Sequence, residues 1–124
     1  MEITNDNSYM RNVYYHVTEK GDAEKILQEG FEPGWGDIGF GIYFWGTLNA
    51  ARKYASQGGW DGDLEFPTIL QVWSPDIRPV YNYEIHPDWP NQQDYQNIYF
   101  WEGDEDENEF FYPTEMEIIE EWRC

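Results

Sequence analysis

The sequence predicts a single α+β domain, and three observations predict it. A β-branched and aromatic run is followed by a short helical stretch, and that pair recurs once. The rest of the chain then reads mostly as strands divided by Gly and Pro, which is the order of an α+β sheet rather than of regular parallel α/β units. The length, 124 residues, is that of one domain, able to bury roughly two-thirds of its unfolded surface. No internal repeat or linker interrupts it, so residues 1–124 are expected to form one domain, with residues 1–10 a loose polar leader.

Each element arises from local chemistry. Residues 13–18, Val-Tyr-Tyr-His-Val-Thr, form a buried strand. Gly21-Asp22 offers an N-cap for a helix over 23–29, which Gly30 stops as a C′ glycine. Residues 31–40, rich in Gly and containing Pro33, read as loop, and Gly41 to Trp45 as the second strand. Thr47 caps a second helix through Leu48, Ala51 and Tyr54 that ends near Gly58-Gly59. A third strand over 68–73 ends at Ser74-Pro75. Pro75, Pro79, Pro87 and Pro90 punctuate the next stretch, so 76–96 is read as loop around one short strand at 80–83. Later strands are expected at 97–101, 109–112 and 116–122. Aromatic residues make up 19% of the chain, including 7 Trp and 10 Tyr, and supply the large rings of the core.

Charge narrows the partners. There are 25 Asp and Glu against 7 Lys and Arg, a formal net charge of −18. Phosphate contacts are made chiefly by Lys and Arg, so nucleic acid is not an expected partner. Such acidity fits a high-salt cytoplasm, imitation of DNA's charge, or a basic protein partner. No run approaches the roughly 20 apolar residues of a membrane span, and the start of the chain, with Glu2 and Asp6, lacks a secretory pattern. A soluble, cytoplasmic protein is expected. The one cysteine, Cys124, has no partner for an internal disulfide. Residues 61–65 and 104–108 begin like calcium loops but lack the sixth-position Gly and the closing Glu, so no metal is expected.

Three segments carry the chemistry. Tyr15-His16-Val17-Thr18 is followed by Ile26-Leu27-Gln28-Glu29-Gly30-Phe31. Gly39-Phe40-Gly41-Ile42-Tyr43-Phe44 is followed by Ala50-Ala51 and Lys53-Tyr54-Ala55, with eleven residues from Tyr43 to Tyr54. Asn108-Glu109-Phe110-Phe111-Tyr112 places a carboxylate directly before an apolar run. Taken singly, His16 is most simply a core histidine, Tyr43 and Tyr54 are core rings, and Glu109 is one acid of a solvated run. Their order together is more specific. It resembles the His-Tyr-Glu branch of the ADP-ribosyltransferases, the diphtheria-toxin and poly(ADP-ribose) polymerase type, most closely over residues 13–55.

The resemblance implies a split β-sheet core with two short helices, and NAD as substrate. It implies that His16, with Thr18 beside it, binds the adenine-side ribose. Val17 offers backbone groups to the nicotinamide amide, and Tyr43 and Tyr54 hold the nicotinamide ring. Glu109 holds the other ribose and stabilises the cationic sugar as nicotinamide leaves. His16, Tyr43 and Glu109 would be the catalytic set. Aromatic faces hold a flat cation through stacking and cation–π attraction, and a fixed carboxylate in a dry pocket favours an oxocarbenium-like sugar. Arg52 and backbone amides of the loop from Gly34 to Gly41 are the candidates for the pyrophosphate. Val17 stands where the family has Gly, and Ala51 where it has a Ser that bonds the amide.

Glu107-Asn108-Glu109 also spells the Glu-x-Glu of the arginine-directed branch, in which Glu107 would handle the acceptor. The expected activity is NAD cleavage with ADP-ribose transfer to a macromolecule, a basic protein before a nucleic acid. Two other readings stand beside it: a non-catalytic acidic inhibitor or interaction protein that imitates nucleic-acid charge, and a degenerate module that binds NAD without turnover.

Overall fold

The computed structural model describes residues 13–36, 38–59, 61–88 and 97–123. In chain order the elements are β1 (Val13–Glu19), α1 (Lys20–Glu29), β2 (Gly34–Trp35), β3 (Phe40–Trp45), α2 (Leu48–Ser56), β4 (Pro67–Trp73), β5 (Arg78–Pro79), β6 (Ile98–Glu102) and β7 (Glu115–Glu121). The class is α+β, with two helices and a seven-stranded sheet. The strands run in the order β5-β6-β3-β1-β4-β7, with β2 added to β3, and every pairing is antiparallel. The residues expected in a leader, 1–10, and Cys124 lie outside the described residues.

The period-2 alternation of the strands sorts side chains onto two faces, each covered by one helix. On one face Tyr14, Ile42, Phe44, Leu70 and Val72 pack with Phe31, Phe111 and Ala23 of α1. On the other, Val17 and Ile69 meet Ala51 and Ala55 of α2. These alanines, four residues apart and fully buried, let α2 lie close on the sheet.

The start of α2 and the end of α1 are set by local chemistry. The Thr47 hydroxyl accepts from the Ala50 amide at 3.1 Å, and Gly30, at φ 87°, ends α1 with its amide on the Ile26 carbonyl. The start of α1 departs from expectation. Asp22 lies inside the helix, which begins at Lys20 with Glu19 as its N-cap. The Glu19 carboxylate accepts from the amides of Lys20, Glu65 and Phe66, and so ties the helix start to the loop ahead of β4. Those donors, Glu65 first, hold its pKa below the usual carboxylate value.

Three other expectations are corrected. The loop over 31–40 contains β2, paired with the start of β3. The strand expected at 80–83 is instead β5 at Arg78–Pro79 followed by a 3-10 turn at Asn82–Glu84. Arg78 grips Glu84 with both guanidinium ends at 2.9 Å while the Tyr81 amide donates to the same carboxylate, and this curls the chain. The strand expected at 109–112 is reduced to one bridge between Phe31 and Phe111. An acidic turn precedes it, in which Asp104 caps Asp106 and Asn108 takes φ 52°. The flanking strands come out one residue later than expected at β6 and one earlier at both ends of β7.

Candidate functional site

The site begins at an interrupted sheet edge. β6 occupies one edge of β3 from Gly41 to Trp45. The opposite edge is shared: β1 touches it at the single pair Tyr15–Trp45, and β2 takes the far end at Phe40 and Gly41. Between them neither β1 nor β2 pairs with β3 at Ile42, Tyr43 or Phe44. A buried strand edge must find hydrogen bonds elsewhere. The His16 side chain supplies one, its Nδ1 donating to the Tyr43 carbonyl at 2.8 Å.

That bond determines the state of the ring. A carbonyl can only accept, so Nδ1 carries the proton, and in the neutral ring Nε2 is left as an acceptor. Phe31 and Phe44 pack on the imidazole with ring centroids at 5.0 and 5.6 Å. Burial pushes its pKa below 6.5, against the opposite pull of the Tyr43 carbonyl, so the ring is neutral near pH 7. No hydrogen bond to Nε2 is made among the described residues.

A cavity of about 600 Å³ opens over this gap, within the range of small-molecule sites. His16, Val17 and Thr18 line it from β1, and Ile42, Tyr43, Phe44 and Trp45 from β3. Tyr54 enters from α2, with its ring 5.4 Å from that of Trp45. Tyr43 is held on three sides: its ring lies 5.2 Å from Phe100, its hydroxyl accepts from the Ile38 amide at 2.8 Å, and Gly36 sits against it. Val17 is a strand residue, and Asn108 alone among the described non-glycine residues has a positive φ.

The structure thus brings His16, Val17, Thr18, Tyr43 and Tyr54 to one cavity. It does not bring Arg52 there. That guanidinium is bound by the Glu120 carboxylate of β7, which raises the pKa of the arginine and lowers that of the acid. Ala51 is buried where α2 packs on Val17 and Ile69 of the sheet rather than set at the cavity wall. Glu109 is exposed and is not a lining residue, although its neighbour Phe110 is. The bridge at Phe111 fixes that part of the chain beside Phe31.

Several lining residues had no site role read from the sequence, Gly34 and Gly36 of the candidate pyrophosphate loop apart. Asp22, Lys25, Ile26 and Glu29 come from one face of α1, and Glu32, Gly34, Trp35 and Gly36 from the stretch after it. The spacing 22, 25, 26, 29 is that of a single helical face and was the available signal. The rim carries three carboxylates, from Asp22, Glu29 and Glu32, against one ammonium, from Lys25. Among the described residues no cluster of His, Cys, Asp and Glu is placed to hold a metal ion, and no helix is long and apolar enough to cross a membrane. No protein-family model, curated protein or solved structure matches the chain.

Proposed function

We propose that the protein is an ADP-ribosyltransferase that takes NAD into the cavity between β1 and β3. The observation that carries this reading is the convergence of His16, Val17, Thr18, Tyr43 and Tyr54, distant in sequence, on one cavity. The sheet parting next to a neutral histidine supports it further. His16 Nε2 accepts from a ribose hydroxyl, and Tyr43 and Tyr54 hold the nicotinamide ring. The C–N glycosidic bond breaks, and nicotinamide leaves with the bonding electrons. The cationic sugar carbon is then attacked by a nucleophile of the acceptor, which loses its proton. Glu109, one residue from the cavity-lining Phe110, is the carboxylate assigned to the developing charge. Lys25 is the cation nearest to hand for the pyrophosphate, since it lines the cavity and Arg52 does not.

The test is release of nicotinamide from ring-labelled NAD, with transfer of adenine-labelled ADP-ribose to added basic proteins. The native chain releases nicotinamide, Tyr43→Ala loses both binding and release, and Glu109→Gln binds NAD but releases none. Absence of both binding and release by the folded native chain overturns the proposal.

A second reading has an observation in its favour. Glu109 is exposed and the cavity takes no lining carboxylate from residues 104–109, as in a module that binds NAD without cleaving it. Calorimetric binding by the native chain with no nicotinamide release, and no change on Glu109→Gln, selects this reading.

A further inference from the structure

Trp35 is 68% exposed, yet it lines the cavity. A large apolar ring left open to water forgoes the stabilisation that burial gives it. Among the described residues its only ring partner is Phe40, at 5.5 Å, so no packing role within the fold accounts for it. Its position is nevertheless fixed. Trp35 is the direct cross-strand partner of Phe40. The turn beyond is closed by the Gly36 amide on the Gly39 carbonyl and by the Ile38 amide on the Tyr43 hydroxyl. The result is an aromatic face at the cavity wall, backed on one side and open on the other. Its chain neighbours, Gly34 of β2 and Gly36 just beyond the strand, also line the cavity and present no side chain at all.

We propose that Trp35 is the stacking platform for the base at the far end of the dinucleotide, and that it recognises the π-face of that base rather than its edge. This rests on the reading of the cavity as an NAD site. Tyr43 and Tyr54 hold the pyridine end, so the purine is the remaining flat group available to Trp35. With glycines as its immediate neighbours, the platform reads flatness and not the exocyclic group. A dinucleotide carrying hypoxanthine in place of adenine therefore binds nearly as well. Stacking of one base on an aromatic residue corresponds to a loss of roughly 5- to 150-fold on replacement by alanine.

The test compares calorimetric affinities of the native chain, Trp35→Ala and Trp35→Phe for four compounds: NAD, ADP-ribose, the hypoxanthine analogue of NAD, and nicotinamide mononucleotide, which lacks the purine. The expected result is that Trp35→Ala weakens NAD, ADP-ribose and the analogue together, by about 10-fold or more. Nicotinamide mononucleotide is unchanged, and Trp35→Phe restores most of the loss. Because the ring is exposed, the variants keep the native thermal midpoint, which is measured alongside. NAD binding by Trp35→Ala within two-fold of native overturns the proposal, as does equal weakening of nicotinamide mononucleotide. A native affinity for the hypoxanthine analogue more than ten-fold below that for NAD overturns the claim of face recognition. If the folded native chain binds none of the four compounds, the NAD reading itself fails, and this platform with it.

Discussion

The imidazole of His16 caps a strand carbonyl, its Nδ1 reaching the Tyr43 carbonyl at 2.8 Å where β1 has left β3 and β2 has not yet joined it. One side chain therefore both satisfies a strand edge and presents an acceptor nitrogen to the cavity. Burial holds the folded pKa below 6.5, so the unfolded chain takes up its proton first as the pH falls. Stability from the neutral ring is complete above about pH 6.5 and declines as the pH drops from there toward the folded value. The expected outcome is that the melting-temperature advantage of the native chain over His16→Gln shrinks between pH 7 and pH 5. NAD binding is unchanged at pH 6.5 and weakens only below it, where Nε2 ceases to be an acceptor.

Two glycines separate site geometry from fold stability. A Cβ added at Gly36 would lie 2.5 Å from both Cε2 and the hydroxyl oxygen of Tyr43. One added at Gly41 would lie 2.0 Å from the Trp101 carbonyl oxygen. A side chain can shift by rotating, whereas a carbonyl held in the β3–β6 ladder cannot. Both Gly→Ala changes are expected to destabilise by about 1–3 kcal/mol, with Gly41→Ala the larger. Gly36→Ala is expected to lose disproportionate NAD affinity, because it displaces Tyr43. Urea unfolding and calorimetric titration on the same samples check this.

Arg78 tests what a guanidinium does that an ammonium cannot. It grips Glu84 through both ends and lies 4.6 Å from the Tyr81 ring centroid and 5.2 Å from that of Phe100. Lys keeps the charge but loses the fork and the stacking, so Arg78→Lys is expected to cost about 1–2 kcal/mol. The hydrogen bonds from Arg78 hold the Glu84 pKa below 4.5. This contribution is therefore present above about pH 4.5 and lost as the pH falls through the folded value. The native-minus-variant difference in urea unfolding should be level from pH 7 to 5 and collapse below 4.5.

The acidic rim predicts an inverted salt response. A bound pyrophosphate would face Asp22, Glu29 and Glu32, all exposed, with Lys25 as the only cation on the lining among the described residues. Screening weakens this repulsion, since the Debye length falls from about 10 Å at 0.1 M to about 3 Å at 1 M. NAD binding should tighten several-fold from 0.05 to 1 M salt. The double variant Glu29→Gln, Glu32→Gln should bind more tightly at low salt and lose most of that dependence. Weakening with salt in the native chain would contradict the rim assignment.

What was legible in the sequence was local. Gly30 and Thr47 act on atoms within one turn, so their roles could be read from neighbouring residues. The two-helix α+β order was legible for the same reason. What depended on distant partners was not. Asp22 looked like a cap because Glu19 caps α1 only in company with the amides of Glu65 and Phe66, 46 and 47 residues on. The strand expected from Glu109 onward shrank to one bridge, because its partner is the single residue Phe31 and not a strand. Arg52 was near the motif in sequence, but its guanidinium faces Glu120 across 68 residues. The pairings that part β1 from β3 have no signature in composition, and neither has the placing of Trp35 beside that gap; for Lys25 the helical spacing with Asp22, Ile26 and Glu29 was the one signal.

The last strand has a consequence for how copies of the chain meet. β7 stands at one end of the sheet order, with Glu115, Glu117 and Glu121 exposed along it. It also carries a register shift opposite Ile69 and Leu70. Two such margins laid side by side would set carboxylate against carboxylate at roughly 5 Å, which is destabilising, and the offset would throw their amides out of step. Polymerisation by strand addition is thereby discouraged at this margin, and crowding such chains together should leave them dispersed.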